Sequence, residues 1–86
     1  MSIFINDKMQ SFITYFHKQT HYTIVHWKYN ARYMYVNMEI WDEFHKAGIV
    51  ATLVEEHLIE ENYEKIKNYL VEYMQQEEIK IYGGIR

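Results

Sequence analysis

The chain has 86 residues, is 49% hydrophobic and carries a formal net charge of −3. That length supports one core, so residues 1–86 are read as a single domain, and the hydrophobic share excludes wholesale disorder. The chain has no cysteine, which excludes a disulfide framework, cysteine-ligated zinc and thiol catalysis.

No apolar run approaches the ~20 residues of a membrane-spanning helix. The opening MSIFINDKMQ lacks the basic and apolar regions of a signal peptide. The expectation is a cytoplasmic protein with no membrane partner. The charge is uneven: residues 1–41 hold four bases against two acids, and residues 42–86 hold ten acids against five bases. An acidic half repels phosphates, which disfavours nucleic acid as a partner. Phe, Tyr, Met, Ile, Asn and Lys total 41 residues, whereas Gly, Ala, Arg and Pro total 8. By the genetic code that bias points to an AT-rich genome, such as a low-GC bacterium or one of its phages.

In chain order, residues 7–18 read as a helix. Met9, Phe12, Ile13 and Phe16 form one apolar stripe, Asn6 or Asp7 is the candidate N-cap, and Lys18 suits the negative pole. Ile3, Phe4 and Ile5 read as a short strand or a hydrophobic staple. Residues 21–29 and 33–40 are dense in β-branched and aromatic side chains and read as a hairpin turning at Asn30-Ala31. The register that segregates its faces pairs Trp27 with Met34, Val25 with Val36 and Thr23 with Met38. Those residues and Ile40 form the inner face. The outer face then carries Tyr22, Ile24, His26, Lys28, Tyr33, Tyr35, Asn37 and Glu39. So much aromatic surface on a second face asks for a partner.

Asp42 caps a second helix expected over residues 43–60, with Phe44, Ala47, Ala51, Val54 and Leu58 at three-four spacing. A competing reading ends a short helix at Gly48 and makes residues 49–54 a buried strand; so short an apolar run does not decide between them. Residues 62–77 read as a helix capped by Asn62, with Tyr63, Ile66, Leu70, Tyr73 and Met74 as its stripe and Glu61 and Glu64 at its positive pole. Residues 79–82 alternate as a last strand stopped by Gly83-Gly84. The expected fold is α+β in the order α-β-β-α-α-β. A short antiparallel sheet, made of the hairpin over 21–40 and the strand near 79–82, is packed by helices on one face.

No motif names a reaction. His17 and His21 are four apart, a spacing that can share a metal on a helix, and His26 follows. But Thr20-His21-Tyr22-Thr23 reads as the helix already ending, and no HExxH-like motif is present. His26, Lys28, Arg32 and Tyr35 make a thin nuclease set, because two arginines in the whole chain are few for holding RNA. No catalytic residue, metal ligand or cofactor is therefore expected. The expected function is a non-enzymatic protein-binding module, of the kind a phage or mobile element uses to inhibit a host protein by occluding a site. Its partner-binding residues would be Tyr22, Ile24, His26, Lys28, Tyr33, Tyr35, Glu55 and Glu56. The alternatives are a homo-oligomeric regulatory or antitoxin-like subunit, paired with a second copy of itself, and a small nucleic-acid-binding protein or nuclease.

Overall fold

The computed structural model describes residues 3–60 and 62–83. Its elements run α1 (Ile3–Gln19), β1 (Tyr22–Asn30), β2 (Tyr35–Asp42), β3 (Ala47–Val54), α2 (Glu55–Glu60) and α3 (Tyr63–Tyr82). The order is therefore α-β-β-β-α-α, and the expected α-β-β-α-α-β is corrected. The α+β class holds. The three strands form an antiparallel meander in the order β1-β2-β3, and the helices cover one of its faces.

Helix α1 begins before Asn6 and Asp7, which lie inside it rather than capping it. Ile5, Met9, Phe12 and Phe16 recur at i, i+4, i+7 and i+11, and all are buried. The helix ends at Thr20. Its hydroxyl donates to the Phe16 carbonyl at 2.9 Å and accepts from the Tyr22 N–H at 3.0 Å, turning the chain into β1.

The two hairpin loops share one design. Each has four residues, 31–34 and 43–46, closed by a 2.8 Å bond from the last loop N–H to the carbonyl of Asn30 or Asp42. Each opens on an Asn or Asp whose side chain caps loop amides. Asn30 Oδ1 accepts from Tyr33 N at 3.0 Å, and Asp42 Oδ1 accepts from Phe44 N at 2.7 Å and His45 N at 3.2 Å. Each closes on a left-handed residue, Met34 at φ 59° and Lys46 at φ 56°.

This loop placement corrects the register. Asn30 pairs with Tyr35, and Trp27 pairs with Met38 rather than Met34. A bulge at Val25 then interrupts the ladder between Ile24 and His26. One extra residue reverses which side chains face inward. Tyr22 and Ile24, expected outside, are in the core, and Val25, expected inside, is 54% exposed. The inner rows are Tyr22–Asp42–Ala47, Ile24–Ile40–Ile49, Trp27–Met38–Ala51 and Tyr29–Val36–Leu53.

Residues 47–54 are a strand, not part of a helix over 43–60. Asp42 caps a hairpin loop in place of a helix. The residues after it alternate, with Ala51 and Leu53 buried and Val50, Thr52 and Val54 exposed. Four β-branched residues, Ile49, Val50, Thr52 and Val54, favour the pleated sheet over a helix. Helical structure resumes at Glu55, and Leu58 of α2 reaches the core. The expected strand near 79–82 is also corrected, because α3 continues to Tyr82. Adding residues to an existing helix costs little, whereas a four-residue strand needs a free edge to join. Asn62 does cap α3, its side chain accepting from Lys65 N at 3.2 Å, and Gly83 closes the helix at φ 81°. Glu61 and Gly84, assigned above to the helix pole and the chain stop, lie outside the described residues.

The bulge predicts unequal costs at adjacent positions. Ile24→Ala should lose about 2–4 kcal/mol of unfolding free energy, as for a buried large-to-small change. Val25→Ala should stay within about 0.5–1 kcal/mol, as for a surface site. Urea melts of the two variants measure this, and the reverse ranking would restore the unbulged register.

Candidate functional site

The helix-free face of the sheet carries the rows Thr23–Trp41–Gly48, His26–Glu39–Val50, Lys28–Asn37–Thr52 and Asn30–Tyr35–Val54. Its middle is polar: Thr52 donates to Asn37 Oδ1 at 2.7 Å, and His26 lies opposite Glu39. Of the eight expected partner-binding residues, His26 and Lys28 sit in this polar middle. Tyr22 and Ile24 are internal. The other four, Tyr33, Tyr35, Glu55 and Glu56, gather at one end of the sheet.

At that end the β1–β2 loop meets the start of α2, through a 3.0 Å bond from Glu55 N to the Met34 carbonyl. Tyr33 and Tyr35 stack with centroids 6.4 Å apart, and the Arg32 guanidinium lies 5.5 Å from the Tyr33 ring centre. Asn30 Nδ2 donates to the Tyr35 hydroxyl at 3.3 Å. Tyr29 donates to the Glu55 carboxylate, a bond that pushes the Tyr29 hydroxyl pKa up. Met34, Val54, Glu55, Glu56 and Ile59 enclose an open hollow of about 300 Å³. Tyr33, Met34, Val54 and Ile59 are 65%, 56%, 50% and 47% exposed, so the hollow belongs to an apolar patch with an acidic rim. Met34 was expected on the inner face of the hairpin and Val54 on a helix stripe, yet both are half exposed here; neither they nor Ile59 were expected to bind a partner. They become neighbours only through the strand pairing of Tyr35 with Val54 and the helix that follows.

A second cluster lies at the opposite end of β2, roughly 23 Å away at ~3.3 Å per strand residue. Asp42 is buried at 1% exposure. Its Oδ2 is 2.7 Å from His45 Nδ1, and its Oδ1 is 3.7 Å from His21 Nε2. Glu78 of α3 completes the group. The Tyr22 hydroxyl donates to Glu78 Oε1 at 3.3 Å, and Glu78 Oε2 lies 3.6 Å from His45 Nδ1. The His45 ring stacks on Tyr82 at 4.6 Å, and the His21 ring on Phe44 at 4.3 Å.

Two buried carboxylates in contact cannot both be charged cheaply. Burial and the neighbouring Asp42 push Glu78 up to about 7. Burial also works against the Asp42 anion. Hydrogen bonds from Glu78, the His45 ring and the His45 and Phe44 amides outweigh it and hold Asp42 well below the usual carboxylate range. Tyr22 is raised by its burial and by the two carboxylates. Asp42, His45 and Glu78 each offer a ligand atom, all within 4.8 Å of one another, so these are the residues that can hold a metal ion. The sequence shows Asp42 and His45 three apart but nothing that brings Glu78 to them; helix packing does that. Of the histidines weighed earlier for a metal, His17 instead meets Thr23 Oγ1 at 3.0 Å, and His26 is on the outer face.

No family model matches the chain, and the comparisons return no similar curated protein and no similar solved structure. Among the described residues no helix is long and apolar enough to cross a membrane.

Glu78 binds its proton more tightly in the folded chain than its ordinary value of 4.5 allows when unfolded. Its contribution to stability is therefore full below about pH 4.5 and is lost as pH rises through about 7. In chelator-containing buffer, Tm should fall by roughly 5 °C or more between about pH 5 and about pH 8.5. Glu78→Gln, whose amide stands in for the protonated acid, should flatten that fall. An unchanged slope in the variant would assign the pH dependence to other groups.

Proposed function

We propose that this chain is a non-enzymatic protein-binding module and that the patch of Tyr33, Met34, Tyr35, Val54 and Ile59 is its docking surface. The observation that carries the reading is Met34. It occupies a left-handed position, at φ 59°, with its side chain 56% exposed. An L residue there costs about 1–2 kcal/mol, and glycine or asparagine is the usual occupant. A large apolar side chain held in that conformation and more than half exposed adds nothing to the buried core. It suits a contact made with another molecule, where flexible methionine adapts to an apolar partner.

The partner that fits is a protein segment with an apolar anchor flanked by Lys or Arg. The anchor enters the hollow, and the bases meet Glu56 and Glu55 on its rim, backed by the net acidity of residues 42–86. A second copy fits less well, because a twofold contact would set Glu55 and Glu56 against their counterparts with Arg32 as the one base of this loop. The action of such a module is occlusion of the partner's apolar site, as an inhibitor acts.

Met34→Gly separates binding from stability. It should raise unfolding free energy by about 0.5–1 kcal/mol, because glycine accepts the backbone conformation and little packing is lost. It should also weaken binding at least tenfold. The probe is a basic, leucine-containing helical peptide titrated into isotope-labelled protein. Chemical-shift changes confined to residues 33–35 and 54–59, and lost in the variant, are the expected result. Equal binding by Met34→Gly, or shifts centred on the polar rows of the sheet, would overturn the reading. A concentration-dependent dimer that Met34→Gly dissolves would make a second copy the occupant.

A further inference from the structure

We propose that Asp42, His45 and Glu78 form a zinc site that ties the β2–β3 loop to the last turns of α3. The site lies at the other end of the sheet from the docking patch and does not depend on it.

The first argument is how the carboxylates are aimed. Each has one oxygen held by donors and the other turned toward His45 Nδ1. Asp42 Oδ1 accepts the Phe44 and His45 amides at 2.7 and 3.2 Å, which leaves Oδ2 2.7 Å from Nδ1. Glu78 Oε1 takes the Tyr22 hydroxyl at 3.3 Å, which leaves Oε2 3.6 Å from Nδ1. The stacked Tyr82 ring fixes the imidazole plane. These outer partners orient ligands as the surroundings of a metal centre do.

The second argument is that Glu78 Oε2 is buried and no donor group of the protein reaches it. A buried carboxylate oxygen facing a second carboxylate needs a proton or a cation. The spacing is within reach of a small cation: the three ligand atoms lie within 4.8 Å of one another. Bonds of ~2.0–2.1 Å in a tetrahedral site need them about 3.3 Å apart, so the 2.7 Å hydrogen bond between His45 Nδ1 and Asp42 Oδ2 opens slightly as the metal enters. One imidazole and two carboxylates suit zinc better than magnesium, which prefers an all-oxygen octahedral shell. Three protein ligands leave a fourth position for water.

The test is a zinc titration of chelator-treated full-length protein by calorimetry, with thermal melts alongside. One Zn²⁺ per chain is expected, with a Tm rise of several degrees at saturation and little response to Mg²⁺. His45→Gln and Glu78→Gln should each weaken zinc binding at least tenfold, while His57→Gln on α2 should leave it unchanged. Circular dichroism of each variant before titration establishes that it is folded. Cobalt in place of zinc adds a readout of direct ligation. An intense visible band from tetrahedral Co²⁺, lost in His45→Gln, supports the site. Substoichiometric zinc, or zinc held equally by His45→Gln and Glu78→Gln, overturns the proposal and assigns the binding to surface histidines. No zinc binding by the unsubstituted chain overturns it as well, and the shared proton is then what satisfies Glu78.

Discussion

Asp42 is the residue on which the arrangement of this chain turns. It ends β2, caps two amides of the β2–β3 loop, pairs across the sheet with Tyr22 and meets Glu78 from α3. A carboxylate this buried is tolerated only when donors surround it: the loop that follows supplies the Phe44 and His45 amides and the His45 ring, and Glu78 adds a hydrogen bond from α3. The anion faces α3, and any helix packed there must bring something compatible with a negative charge. Glu78 meets that demand by keeping a proton or by sharing a cation. Helix α3 is thus coupled to the β2–β3 loop through this polar cluster, beside the apolar contact made by Ile66, Leu70 and Met74.

The bulge at Val25 sets the second constraint. Without it, Tyr22 would face outward, away from Phe16 and Glu78. With it, the Tyr22 ring stacks near Phe16 at 6.3 Å and its hydroxyl reaches the carboxylate cluster. One residue of extra backbone therefore joins the aromatic core of α1 to the polar end of the sheet. It also blunts β1 as an edge strand, because a bulged edge offers a poor template for pairing with another chain. At the other edge, the Tyr73 hydroxyl of α3 donates to the Val50 carbonyl at 3.0 Å. Both edges are modified; exposed apolar side chains gather at the β1–β2 loop end in Tyr33, Met34, Val54 and Ile59, and others stand at Val25, Phe44, Val50, Tyr69, Ile79 and Ile81.

Helices α1 and α3 were legible because their apolar residues repeat over about two turns: Met9, Phe12 and Phe16 in α1, and Ile66, Leu70 and Met74 in α3. The Asn62 cap was legible for the same local reason. The hairpin was legible in kind but not in register, because Ala31 is a weak turn signal and the left-handed residue is Met34, which no composition rule marks. Residues 47–54 satisfy both a three-four and a two-residue period. Asp42, a good cap for either a helix or a hairpin loop, gave no help in choosing. Residues 79–82 alternate, but four residues are too few to outweigh the helix already running into them. Of the expected binding residues, Tyr33, Tyr35, Glu55 and Glu56 converge because two segments distant in sequence meet where β2 pairs with β3. Tyr22 and Ile24 were misassigned by the single bulged residue. The Asp42–His45–Glu78 cluster depends wholly on how α3 packs, which no local pattern encodes.

The two left-handed loop residues, Met34 and Lys46, show where local preference gives way. Both loops are built alike, and glycine or asparagine would fit either end position with less strain. Lys46 has a simple justification, since its charged side chain stands in solvent, where lysine ordinarily sits. Met34 has none within the chain: its side chain is exposed, and its neighbours in the hollow are Val54, Ile59 and two acids. Conflicts between local preference and observed residue are expected to concentrate where a protein meets something else. Here the conflict falls at the rim of the exposed apolar hollow. That coincidence of backbone strain, apolar exposure and acidic rim at one end of β2 is the physical case for reading that end as the surface this chain presents to a partner.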